Sequence, residues 1–137
     1  MTVAVKTRTQ SRITRPVKRT ILVVEDENEI RELIEQLLQL DGFRTISASD
    51  GREAVETART QHVDAITLDL WMPRQDGRAT LRELALDPTT AAIPVILVSA
   101  FANGAPLSPQ VAGVVAKPFD VDVLLRAVHR ALAGVPR

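Results

Sequence analysis

Glu25 and Asp26 close the apolar run Ile21-Leu22-Val23-Val24, and Asp69 closes a second run, Ala65-Ile66-Thr67-Leu68. A third run, Pro94 to Val98, ends in Ser99-Ala100, and a fourth, Val114-Val115-Ala116, ends in Lys117-Pro118-Phe119. Carboxylates, a hydroxyl and an ammonium therefore stand where buried segments finish. Three carboxylates brought into one pocket repel one another, at about 3 kcal/mol per pair for roughly 5 Å and an effective dielectric near 20. Lys117 alone cannot neutralise three charges. An all-oxygen site suits a hard divalent ion, with Mg²⁺ the best match. A cation, a lysine and a hydroxyl around one carboxylate suggest phosphoryl transfer onto it, and Asp69, central in the set, is the natural acceptor. Taken singly the fragments have plainer readings, since an Asp after a strand often caps a turn and Lys-Pro often marks a loop. Their order along four strands carries the argument.

Elements that would bring these ends together follow from the pattern. Short β-rich apolar runs alternate with helical periodicity, as in a parallel sheet covered on both faces. Ile30, Leu33, Ile34, Leu37 and Leu38 form one stripe, with Arg31, Glu32, Glu35 and Gln36 facing away, and Asp41-Gly42 stops that helix. Phe43 to Ala48 reads as a strand, and Asp50-Gly51 opens a helix with Ala54, Val55 and Ala58 inward. After a strand near 64–69, the loop from Pro73 to Gly77 leads into a helix with Leu81, Leu84 and Ala85 inward, ended by Asp87-Pro88. A last helix starts at the N-cap Asp120 and repeats Val121, Leu124, Leu125, Val128 and Leu132. Between Ser99 and Gly113, Gly104, Pro106 and Pro109 oppose a regular helix, leaving at most a turn or two, nearest Ser108 to Ala112. In an open sheet of this kind ligands bind outside the carboxyl ends of the strands.

Bulk properties narrow the classes. The 137 residues make one domain's worth of chain, without a cysteine, which excludes disulfides and thiolate chemistry. No apolar run approaches the roughly 18 residues of a spanning helix, so a soluble, cytoplasmic protein without membrane insertion is expected. The zero formal charge hides a split: Lys6, Arg8, Arg12, Arg15, Lys18 and Arg19 precede the first acid, so the rest carries 11 basic against 17 acidic groups. Nucleic acid is expected, if anywhere, at this basic leader, residues 1–19, whose composition fits a disordered segment. His62 and His129 read as surface or helix-end residues.

Taken together, Ile21 to Glu27 (ILVVEDE), Leu68 to Pro73 (LDLWMP) with Asp76-Gly77, Val98-Ser99-Ala100 and Lys117-Pro118-Phe119 resemble the receiver domain of bacterial two-component response regulators over residues 20–134, with 135–137 as a tail. The resemblance implies a flavodoxin-like five-stranded sheet of order 2-1-3-4-5. It implies that Glu25, Asp26 and Asp69 bind Mg²⁺ with the Trp71 backbone carbonyl, and that Asp69 is phosphorylated from a sensor histidine kinase or phosphotransfer protein. By the same likeness Ser99 is the switch hydroxyl, Lys117 contacts the phosphoryl group, and the Lys117-Pro118 bond is cis. Such a domain assists its own phosphorylation and dephosphorylation and is not an enzyme acting on a separate substrate.

The chain departs from that family in three places. Val114 stands where many receivers carry a Tyr or Phe that swings inward on activation. The Ser99 to Lys117 interval is short, so the fourth helix is eroded. Trp71 and Phe101, two residues after the acceptor and the switch serine, are large and apolar where the family admits attacking water. The expected protein is a stand-alone phosphoacceptor switch acting through an unknown downstream protein or a homodimer. A phosphorylation-independent binding module is the alternative. An aspartyl-phosphate hydrolase is disfavoured, because Trp71 occupies the place of its second Asp.

Overall fold

The computed structural model describes residues 18–71, 77–100 and 108–134. Expectations for the leader through residue 17, for Pro73 and Asp76, for Phe101 and for the tail 135–137 lie outside them. Five strands, β1 (Thr20–Val24), β2 (Arg44–Ala48), β3 (Ala65–Leu68), β4 (Val95–Ser99) and β5 (Val111–Ala116), form one parallel sheet of order 2-1-3-4-5. Four helices accompany them among the described residues: α1 (Asn28–Leu40), α2 (Gly51–Thr60), α3 (Gly77–Leu86) and α4 (Val121–Ala133).

The three central strands are buried along almost their whole length because helices cover both faces. Alternation then divides the core. Leu22, Val24, Ile66, Leu68, Val95 and Leu97 face α2 and α3, whereas Ile21, Val23, Ala65, Ile96, Val98 and Val115 face α1 and α4. Local signals set the helix ends. Asp50 accepts from the Glu53 amide at 2.8 Å, while Glu53 reaches back to the Ser49 amide at 2.8 Å, a reciprocal cap for α2. Gly42, at φ +97°, makes the left-handed turn after α1 that its position predicts.

Several expectations change. No helix occupies Ser108 to Ala112: a turn closed by the Val111 amide on the Ser108 carbonyl (2.9 Å) leads straight into β5, which starts three residues before Val114. The sheet captures this stretch, because the Val95 amide bonds the Gln110 carbonyl at 2.9 Å and the buried Gln110 side chain donates to Thr90 and Ile93 carbonyls. Among the described residues between β4 and β5, Ala100 and 108–110, there is no helix.

Leu33, Val121 and Ala85 were placed inward by periodicity but are exposed, Leu33 to 46% and Val121 to 43%. Leu33 and Val121 instead line an apolar groove of about 470 Å³ with Ile30, Leu37, Pro118 and Phe119. On α4 the buried stripe runs through Leu124, Ala127, Val128, Ala131 and Leu132.

Candidate phosphoacceptor and metal site

Reversal of strand order between β1 and β3 opens the crevice in which the charged strand ends meet. The ladder continues one residue past the strands: the Glu25 amide bonds the Ala48 carbonyl (3.1 Å), the Asp69 amide bonds the Val24 carbonyl (3.2 Å), and the Lys117 amide bonds the Ser99 carbonyl (3.0 Å). Backbone bonds thus seat Glu25, Asp69 and Lys117 before any side-chain interaction is considered. Glu25, Asp26 and Asp69 each offer a carboxylate oxygen within 4.8 Å of the others. Glu25 is 1% and Asp69 5% exposed, and Ser99 is fully buried at the end of β4.

Lys117 enters this cluster from β5, and its bond to Pro118 is cis. Its Nζ lies 2.6 Å from Glu25 Oε1 and 3.3 Å from Asp69 Oδ2, so the ammonium is committed to Glu25 first. The remaining oxygens are partly engaged. Glu25 Oε2 accepts from the Glu27 amide at 3.3 Å, and Asp69 Oδ1 accepts from the Trp71 amide at 3.0 Å. Burial pushes the Glu25 carboxyl above its ordinary pKa; the Lys117 hydrogen bond and charge offset this only in part, and the Asp69 charge adds to it. Burial pulls Lys117 down, yet its bonds to Glu25 and its proximity to Asp69 leave it net raised. Even with Lys117 in place the cluster is short of positive charge.

Of the expected site residues, Glu25, Asp26, Asp69 and Lys117 are therefore brought together, and Ser99 ends the neighbouring strand β4. Trp71, two residues after Asp69, is 60% exposed, whereas Phe119 packs against the α1/α4 core. Val114 is 45% exposed on the outer face of β5. One contact was not anticipated. Arg31, placed on the solvent face by periodicity, turns its Nη1 back onto the Glu25 carbonyl at 2.9 Å. Its position in the first turn of α1, six residues after Glu25, was the available signal.

The model of the response regulator receiver domain family matches residues 21–129. Protein Rrf1 of Nitratidesulfovibrio vulgaris is 34% identical over 113 residues, covering 82% of each chain. Regulatory protein AtoC of Escherichia coli is 36% identical over 116 residues, which span 82% of this chain but 25% of AtoC. The receiver domain of a Pseudomonas aeruginosa sensor histidine kinase, solved with a magnesium ion coordinated in its active-site cleft, superposes with a TM-score of 0.79 at 30% identity, covering 86% of this chain and all of that one.

Proposed function

We propose, from the premise that the chain belongs to the family of response regulator receiver domains, that it is a two-component signalling switch in which Asp69 takes a phosphoryl group from a histidine. An Asp69 oxygen forms the new P–O bond as the P–N bond to the donor imidazole breaks, and the electron pair stays on the imidazole nitrogen. The observation that carries this reading is the buried Asp69 carboxylate, with a lysine ammonium at 3.3 Å and two further carboxylates beside it.

A resident Mg²⁺ fits the donor set, because its ligands would all be oxygens and burial keeps Glu25 raised despite Lys117. Glu25, Asp26, Asp69 and the Trp71 carbonyl are the residues proposed to hold it. When bound, Mg²⁺ supplies charge stabilisation to the transferring phosphoryl oxygens. Lys117 then exchanges Glu25 for a phosphoryl oxygen, and the Ser99 hydroxyl bonds another, which biases the protein between two conformations. The phosphodonor is a sensor histidine kinase or a phosphotransfer protein in the cytoplasm. The apolar groove of Leu33, Leu37, Pro118 and Val121 beside Lys117 supports a protein partner. The domain acts as acceptor and switch, not as an enzyme turning over a separate substrate. Among the described residues no helix is long and apolar enough to cross a membrane.

Incubation with acetyl phosphate and Mg²⁺ tests the reading: a gain of about 80 Da mapped to Asp69, absent in Asp69→Asn and abolished by a chelator, is expected. A domain that binds Mg²⁺ yet gains no mass would favour the phosphorylation-independent module, which the exposed Val114 on β5 otherwise recommends.

Trp71 bears on how long the phosphoryl group survives. Its amide is tied to Asp69 Oδ1, so its indole leaves the chain at the rim of the site, where an apolar group hinders an approaching water. Trp71→Asn is expected to shorten the phosphoryl half-life roughly tenfold, equivalent to about 1.4 kcal/mol of barrier. Loss of the added mass with time measures it, and an unchanged decay rate rejects the role.

A further inference from the structure

The first turn of α1 lacks the side-chain cap that such a helix end usually has. Its N-cap residue, Glu27, makes no side-chain capping bond. The turn from β1 into α1 is instead held from within the helix. Arg31 spans two points, donating from Nη1 to the Glu25 carbonyl at 2.9 Å and from Nη2 to Asn28 Oδ1 at 2.5 Å. Glu25 is thereby fixed at its amide by Ala48, at its carbonyl by Arg31 and at its carboxylate by Lys117 and the Glu27 amide. Asp26 sits between that fixed residue and the helix and is only partly buried. Its carboxylate is aimed by its backbone, which Arg31 holds.

We infer that Arg31 is a positioning residue for metal binding: its guanidinium, bridging the Glu25 carbonyl and Asn28, sets the β1–α1 turn so that Asp26 faces Glu25 and Asp69. The inference rests on the metal-dependent reading above. Geometry and charge predict opposite outcomes here. A guanidinium near three carboxylates repels an incoming cation, so if its charge mattered more than its bonds, removing it would tighten Mg²⁺ binding. The bonds end on a backbone carbonyl and an amide oxygen and leave every carboxylate oxygen of the cluster untouched, which favours the positioning effect.

Mg²⁺ titration followed by the fluorescence of Trp71, the one tryptophan of the chain, tests this on the full-length protein. Arg31→Lys keeps the charge and loses the two-point bridge, and it is expected to weaken Mg²⁺ binding about tenfold, as the loss of a residue that orients a ligand does. Asn28→Ala, which releases one arm without altering charge, is expected to weaken it in the same direction and stands in should Arg31→Lys fail to fold. Thermal midpoints in chelator separate positioning from bulk stability. A merely structural Arg31 would lower the midpoint and leave the Mg²⁺ dissociation constant, taken well below it, unchanged, which overturns the inference. Tighter binding in Arg31→Met with no change in Arg31→Lys also overturns it. If the wild-type protein does not bind Mg²⁺, the metal-dependent reading fails first and this inference with it.

Discussion

Lys117→Met is expected to destabilise the protein by roughly 3 kcal/mol at neutral pH without divalent metal, the cost of stripping one partner from a buried ion pair. Glu25 is 1% exposed, and Lys117 Nζ is 2.6 Å from it, so methionine fills the space of the stem and leaves the carboxylate unpaired. The low end of the usual range applies because the Lys117 side chain keeps 14% exposure and Asp26 is only partly buried. Two conditions should restore stability. The Glu25 carboxyl is raised above its ordinary 4.5 by burial, and losing Lys117 raises it further. A raised folded-state pKa favours the fold below the unfolded value, and that contribution is lost as pH rises through the folded value. The deficit should therefore shrink as pH falls toward 4.5. Mg²⁺ should also diminish it, because an ion bound only by the native state stabilises by RT ln(1 + c/Kd) at free concentration c, and the carboxylates left unpaired by the substitution favour the cation more than the paired ones do. Urea unfolding at neutral and acidic pH, with and without Mg²⁺, measures all of this. A variant equally unstable under every condition would place the loss in packing and not in charge.

Gly77→Ala is expected to cost about 2–3 kcal/mol, near the upper end for overpacking. A Cβ built there meets Leu70 Cα at 2.5 Å, the Asp69 carbonyl oxygen at 2.6 Å and the Leu70 carbonyl carbon at 2.9 Å, all backbone atoms that no rotamer change can move aside. The Gly77 amide bonds the Leu70 carbonyl at 3.1 Å, so the start of α3 and the residues at the end of β3 must separate together. Phosphorylation of Asp69 should slow as its backbone shifts. Gly134→Ala is the control. It lies after α4 at φ −88° with no atom within 4 Å of an added Cβ, and its stability should change by no more than about 0.5 kcal/mol. Comparable losses at the two positions, by chemical denaturation, would refute the close-approach argument.

Legibility of the fold varied with how local its causes were. β1, β3 and β4 could be read directly because strands buried on both faces are continuous apolar runs, each followed in the sequence by a polar residue. Asp50, Gly42 and Asp120 announced helix ends because caps and left-handed turns depend on one or two residues. Leu33, Ala85 and Val121 were misplaced because a period says which residues share a face and not how far the neighbouring element extends beneath it. Ser108 to Ala112, where at most a turn or two of helix is expected, holds a turn and the start of β5 for a related reason. Pairing with β4 and the Gln110 bonds to the Thr90 and Ile93 carbonyls, all distant in sequence, draw that stretch into the sheet.

At the site, the proposed chemistry was legible from the chain's residue types alone. Carboxylates, a lysine and a serine closing buried runs in this order call for a cation and a phosphoryl group wherever strand ends converge. Tertiary structure decided the pairing: Lys117 rests on Glu25 ahead of Asp69, and Arg31 bends back to the Glu25 carbonyl and not out to solvent. Sequence order cannot rank such contacts. They depend on ångström differences set by the twist of the sheet and by the depth at which each strand end is buried.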